Sequence, residues 1–183
     1  DCQGGALTFH ASGGINNCTF INNSASIYGG ALSTGYLYNY MDLTVSNCNF
    51  DGNEAPNGGA IQANGLNIKI IDSNFKNNRV TENGGALYVS AEDVSITDSI
   101  FNSNKANVDG GAIFIEGKNT LIEGSSFIAN EATPDASKID DGLGGAIYVD
   151  SSQAMVKNNS FRFNTARNGS AVYYDKSGNQ FTL

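Results

Sequence analysis

Short alternations of apolar and polar residues recur along the whole chain, as in Leu43-Thr44-Val45 and Val94-Ser95-Ile96. A repeat of two predicts half-buried β-strands, and no stretch sustains the i, i+3, i+4, i+7 apolar spacing of an amphipathic helix. The alternations hold a fixed phase against two motifs. Gly-Gly-Ala begins at Gly4, Gly29, Gly58, Gly84, Gly110 and Gly144, and Gly-Ser-Ala at Gly169, at intervals of 25, 29, 26, 26, 34 and 25 residues. Phe-x-x-Asn interleaves with it at Phe20/Asn23, Phe50/Asn53, Phe75/Asn78, Phe101/Asn104, Phe127/Asn130 and Phe161/Asn164. Two motifs sharing one period mark a repeat architecture.

Aligning the copies shows what each position requires. Five residues before each Phe stands Ile15, Val45, Ile70, Ile96, Ile122 or Val156, and two after each motif Asn stands a small apolar residue such as Ala25, Ala55 or Val80. Three before the Phe stands Asn17, Asn47, Asp72, Asp98, Gly124 or Asn158. These residue types tolerate a left-handed backbone, so they mark a corner between two strands. The Gly-Gly pair marks a second corner, where the chain bends or another backbone approaches. One such unit cannot bury its own inner face, whereas a stack of them can. The predicted fold is all-β: a single-stranded, right-handed parallel β-helix of about seven coils, ~26 residues each, forming one domain over residues 1–183. Each aligned column then becomes a ladder, and Asn23, Asn53, Asn78, Asn104, Asn130 and Asn164 are expected to bond amide to amide from coil to coil.

Two insertions break the period, near residues 34–42 and 132–142. Insertions in solenoids emerge as loops on one side, where binding often resides. The first carries Tyr36, Tyr38 and Tyr40, suited to contact with carbohydrate or protein. The second groups Asp135, Asp140 and Asp141, oxygen donors of the kind that hold Ca²⁺, although three carboxylates fall short of the roughly six to eight ligands the ion takes. Ca²⁺ is the only cofactor the residues suggest.

Composition narrows the function classes. The 183 residues include 22 Gly and 25 Asn but one His and no Trp, and the formal charge is −8. Nucleic-acid binding requires a basic face, which this acidic chain does not offer. No apolar run is long enough to span a membrane. The chain opens with Cys2 already inside a motif, and so reads as a piece of something longer.

The candidates for chemistry are few. The position after the aliphatic residue of each Gly-Gly-Ala-Leu/Ile segment is expected to face outward. There Tyr88, Phe114, Tyr148 and Tyr173 form an aromatic stripe, either a sugar platform or plain cross-strand stacking. His10 stands alone, which excludes His-based triads and multi-His metal sites. Asp72 and Asp98 share a column and offer paired carboxylates, but corner preference explains both. Cys18 and Cys48 share the small column two before Phe, within reach of a disulfide and equally able to stack unbridged, as Ser does in the next three coils. With Cys2 the count is odd, leaving one thiol free or paired outside the chain. Asn-x-Ser/Thr sequons begin at Asn17, Asn22, Asn158 and Asn168.

Gly84-Gly-Ala-Leu-Tyr-Val89, Gly144-Gly-Ala-Ile-Tyr-Val149 and Phe101-Asn-Ser-Asn104 resemble the repeats of the polymorphic outer-membrane protein family and of adhesin-like surface proteins of methanogenic archaea. The resemblance covers essentially the whole chain. It implies an extracellular or surface-displayed β-helix that adheres without catalysis, meeting a protein or glycan on a host or neighbouring cell. Two alternatives stand beside that reading. One is the subunit of an extracellular filament, with copies stacked end to end; the other is a polysaccharide lyase or hydrolase of the pectin-lyase-like type.

Overall fold

The computed structural model describes residues 4–34, 41–134, 141–175 and 180–183. They form a parallel β-solenoid without a helix. Every strand pairing is parallel and joins one turn to the next, so three sheets run the length of the stack. The long sheet is built on Ile61–Ile71, Leu87–Thr97, Ile113–Glu123 and Ile147–Lys157, flanked by shorter pieces at both ends. The Phe sheet comprises Thr19–Ile21, Asn49–Asp51, Asn74–Lys76, Ile100–Asn102, Ser126–Ile128 and Ser160–Arg162. The Ala sheet comprises Glu54–Ala55, Arg79–Val80, Lys105–Ala106, Glu131–Ala132 and Thr165–Ala166.

Seven Gly-Gly or Gly-Ser corners predict about seven coils, and the stack corrects that to about six. After the sixth turn only Val172–Tyr174 and Gln180–Thr182 are added, both on the long sheet, with no further Phe or Ala strand among the described residues. A corner motif opens a turn but does not complete one.

The register places like on like. Leu87 pairs with Ile61 and Ile113, and Phe101 with Phe75 and Phe127. Parallel in-register strands put identical side chains one rung apart, so flat rings stack. The centroids of Phe20, Phe50, Phe75, Phe101, Phe127 and Phe161 lie 4.8–5.0 Å apart, tilted by 11° or less. The four central rings are fully buried, facing the aliphatic ladder of Val45, Ile70, Ile96 and Ile122. Burying a Phe contributes roughly 1.5–3 kcal/mol, as does each buried aliphatic side chain packed against it.

The Asn column forms a hydrogen-bonded ladder. In each interior turn the Oδ1 accepts both the backbone N–H and the Nδ2 of the Asn one turn earlier. The Nδ2 in turn donates to the next Oδ1 and to the Phe carbonyl of the preceding turn. For Asn78 those four contacts measure 3.0, 3.0, 3.0 and 3.0 Å. The amide thus uses its full capacity of two donors and two acceptor sites inside a dry wall. Asn53, Asn78, Asn104 and Asn130 are fully buried, and no buried side-chain polar atom among the described residues lacks a partner.

Left-handed corners complete the turn. Asn17, Asn47, Asp72, Asp98, Gly124 and Asn158 all have positive φ, between 46° and 66°. So does a second column the repeats do not announce, namely Asn22, Gly52, Asn77, Ser103, Ala129 and Phe163. Ala129 and Phe163 carry no side-chain chemistry that favours such a backbone, so the stacked neighbours impose it.

Candidate functional site

Each long strand bends near its middle. Pairing runs from Gly65 through Ala91 and Gly117 to Ser151, omits Leu66, Glu92, Lys118 and Ser152, and resumes at Asn67, Asp93, Asn119 and Gln153. Small residues are required at the bend: a Cβ on Gly65 or Gly117 would run into the carbonyl oxygen of Met41 or Ala91. The bend divides the outer surface into two strips with different fates.

The first strip carries the aromatic stripe, and here the structure corrects the expected exposure. Tyr88, Phe114, Tyr148 and Tyr173 do stack, with centroids 5.1, 4.6 and 5.7 Å apart. They point away from the Phe core, but Phe114 and Tyr148 are each only 7% exposed, and Gln62 and Ser33 of the same column are buried. From Gly29 onward the first Gly of each corner has positive φ and lies close against the backbone of the strand that follows it, as Gly84 does against Leu87. Phe114 and Tyr148 each carry a stacked ring on both faces, so neither is open to a sugar, and the stripe acts as a second packed column.

Its hydroxyls are tied to acids. Tyr148 donates to Asp175 Oδ2 at 2.6 Å and Tyr88 to Glu116 Oε2 at 3.2 Å. Burial first, then the bond to Asp175, push the Tyr148 phenol well above its ordinary range. The Gly-Gly corner has a ladder of its own. Asn57 Oδ1 accepts Asn83 N–H, Asn83 Oδ1 accepts Asp109 N–H, and Asp109 Oδ1 accepts the N–H groups of Gly142 and Leu143. Asp109 thereby anchors the chain where it returns from the second insertion. Burial raises its pKa against the lowering effect of those two N–H groups. The signal for this ladder was in the residue preceding each Gly-Gly pair, where Asn, Asn and Asp succeed one another.

The second strip is open. Two outer columns run along it: Asn67, Asp93, Asn119, Gln153 and Gln180, and beside them Lys69, Ser95, Leu121, Met155 and Thr182. Together they line a trough of about 410 Å³. Its polar groups are mostly carboxamides and hydroxyls, with Lys69 and Asp93 balancing in charge, and Met155 is 41% exposed. Within the first column Asn67 Nδ2 donates to Asp42 at 2.7 Å and Asn119 Nδ2 to Asp93 at 2.8 Å. These bonds hold the amides upright and leave the second Nδ2 hydrogen available for an outside acceptor. The residue types of this strip vary from turn to turn, so no motif marks it; its one signal in the sequence is the recurring Asn, Asp and Gln at one register position.

Among the described residues the other candidates are not brought together at one site. Asp72 and Asp98 sit at left-handed corners, as their residue type explains. His10 is exposed in the first turn. Tyr36, Tyr38, Tyr40, Asp135 and Asp140 lie outside the described residues. Asp141 is described, and no group of three potential metal ligands occurs among the described residues. Asn17, Asn22, Asn158 and Asn168 are all exposed, so each sequon is accessible. Cys18 and Cys48 stack as thiols rather than as a bridge, each Sγ donating to the carbonyl two residues back.

Residues 36–183 match the family model described as a right-handed beta helix region. Residues 17–35 match the Chlamydia polymorphic membrane protein repeat. Comparison with curated proteins and with solved structures gives no match. No helix among the described residues is long and apolar enough to cross a membrane.

Proposed function

Because the chain belongs to the right-handed β-helix family, we propose that it is a cell-surface, adhesin-like protein that binds or displays rather than catalyses. The observation that carries this reading is the polymorphic membrane protein repeat at residues 17–35, set within a stack whose other turns repeat the same two motifs. The open trough is the binding face. Its amides and hydroxyls recur at the rung spacing of ~4.8 Å, which suits a ligand that itself repeats along its length. Sugar hydroxyls both donate and accept, as carboxamides do, while Leu121 and Met155 offer apolar ground for the C–H face of a ring. With one Lys against one Asp, the trough favours a neutral glycan over a charged one. The partner is then a neutral glycan on a host or neighbouring cell.

Titration of neutral oligosaccharides against the protein and its Leu121→Lys variant tests the reading. Lysine already occupies this column at Lys69, so the variant is expected to fold as the parent does. Binding should weaken at least about tenfold, a loss of roughly 1.4 kcal/mol. Equal binding by both proteins would remove the trough. Release of new reducing ends from the glycan would remove the non-catalytic reading.

A further inference from the structure

We propose that Cys18 and Cys48 form an oxidisable pair that clips the first turn of the solenoid to the second. Asn16 faces Ser46 and Thr19 faces Asn49 in the flanking strands, so the two cysteines lie directly over one another across one rung. A rung spacing of ~4.8 Å falls within the Cα separation that disulfides take, roughly 4.4–6.8 Å. The Cys48 sulfur already lies against Cys18, accepting its backbone N–H at 3.4 Å. Both thiols adopt one attitude, Cys18 Sγ donating to Asn16 O at 3.3 Å and Cys48 Sγ to Ser46 O at 3.1 Å. Rotation about the Cα–Cβ bonds, with a slight approach of the two backbones, brings the sulfurs together.

The column does not need sulfur for its structural task. In the next turns Ser73, Ser99 and Ser125 accept the N–H of the preceding turn at 3.1–3.2 Å and donate to the carbonyl two residues back at 2.8–3.1 Å. Hydroxyl oxygen is the better acceptor of the two. Sulfur occurs at two adjacent positions of this column, Cys18 and Cys48, and at none of the three that follow. Access is suitably unequal: Cys18 is exposed and Cys48 is 3% exposed. Burial also pushes the Cys48 thiol upward, which leaves Cys18 as the first to react.

A small-molecule disulfide of the oxidised-glutathione class supplies the oxidising equivalents. The Cys18 thiolate attacks one sulfur of the reagent and expels its other half as a thiolate. Cys48, losing its proton, then attacks Cys18 Sγ in the mixed disulfide and expels the second half. Two protein thiols become one disulfide, one reagent disulfide becomes two thiols, and both protons end on the departing thiolates. The bond closes a loop of 30 residues and limits opening of the first turn.

The experiment uses the full chain with Cys2→Ser, so that only this pair remains. Incubation with oxidised glutathione should lower the intact mass by about 2 Da, with Cys18 and Cys48 in one cross-linked peptide. Amide hydrogen exchange at Ala6, Leu7 and Phe9 should slow by roughly 100-fold and recover on reduction. A second variant adding Cys48→Ser keeps the ladder with the residue that follows it in the column, and its exchange should ignore the oxidant. Two alkylatable thiols after treatment, a glutathione adduct that persists on Cys18, or slowing that survives Cys48→Ser would each overturn the proposal.

Discussion

Replacing Asn104 with Ala is expected to destabilise the solenoid by about 3–5 kcal/mol, measured by chemical denaturation. Asn104 Oδ1 accepts the backbone N–H and the Nδ2 of Asn78 at 3.1 and 3.0 Å, and its Nδ2 donates to Phe75 O and to Asn130 Oδ1, both at 3.0 Å. The site is fully buried, so no water replaces what is lost. The backbone N–H of Asn78 is orphaned, its amide loses one of two acceptors, and a cavity remains. A stranded buried donor alone costs about 1–3 kcal/mol. The same change at Asn164 should cost less, about 1–2 kcal/mol: it too removes the acceptor of Asn130 N–H and Nδ2, but the site is half-buried and water replaces part of the loss. Asn104→Asp carries the sign further. Its carboxylate would face Phe75 O and Asn130 Oδ1, acceptor against acceptor, which raises its folded pKa above the unfolded value. The deficit should therefore be smallest at acid pH and grow as pH rises through the ordinary carboxylate range and beyond.

Gly111→Ala is expected to be at least as damaging, with a loss above about 3 kcal/mol, although it adds a single methyl group. Its φ is not the reason, since Gly111 is not among the positive-φ glycines. Its Cβ would enter the carbonyl oxygen of Gly145 and lie 2.6 Å from backbone atoms of Glu131. Both obstacles are main chain, one at the corner of the next turn and one in an Ala-sheet strand, and neither can rotate away. To make room, two turns must part at this corner. Because each turn touches only its neighbours, a central defect should also split unfolding into two steps. Gly14→Ala is the control. Its Cβ would find Thr44 O at an ordinary 3.5 Å, so its cost should stay within about 0.5 kcal/mol. Equal losses at Gly14 and Gly111 would show that chain flexibility, not close approach, sets the requirement for glycine.

Much of this was legible in the sequence, for a physical reason. In an in-register parallel stack every column is a contact between like residues, so periodicity alone identifies the Phe, Ala and Asn ladders and the left-handed corner at Asp72 and Asp98. Exposure was not legible. Strand alternation tells which side of a sheet Tyr148 takes, but not that the ring is held between Phe114 and Tyr173 with its hydroxyl on Asp175. The Asn57–Asn83–Asp109 ladder was hidden by its ends, since Tyr28 and Leu143 occupy the same register position. The trough was hidden because an open column is free to vary, and Lys69, Ser95, Leu121 and Met155 share no residue type. Columns packed like on like in the core repeat faithfully, whereas open surface columns do not.

The stacking itself admits one direct measurement. Ile21 and Arg162 are both exposed and occupy one column of the Phe sheet, joined through Asp51, Lys76, Asn102 and Ile128. Nitroxides placed at these two positions are separated by five rungs, or about 24 Å before the length of the tethers is added. A narrow distance distribution near that value, by double electron–electron resonance, is the predicted result. A broad distribution extending well beyond about 40 Å, as an unstacked chain of this length would give, would contradict it.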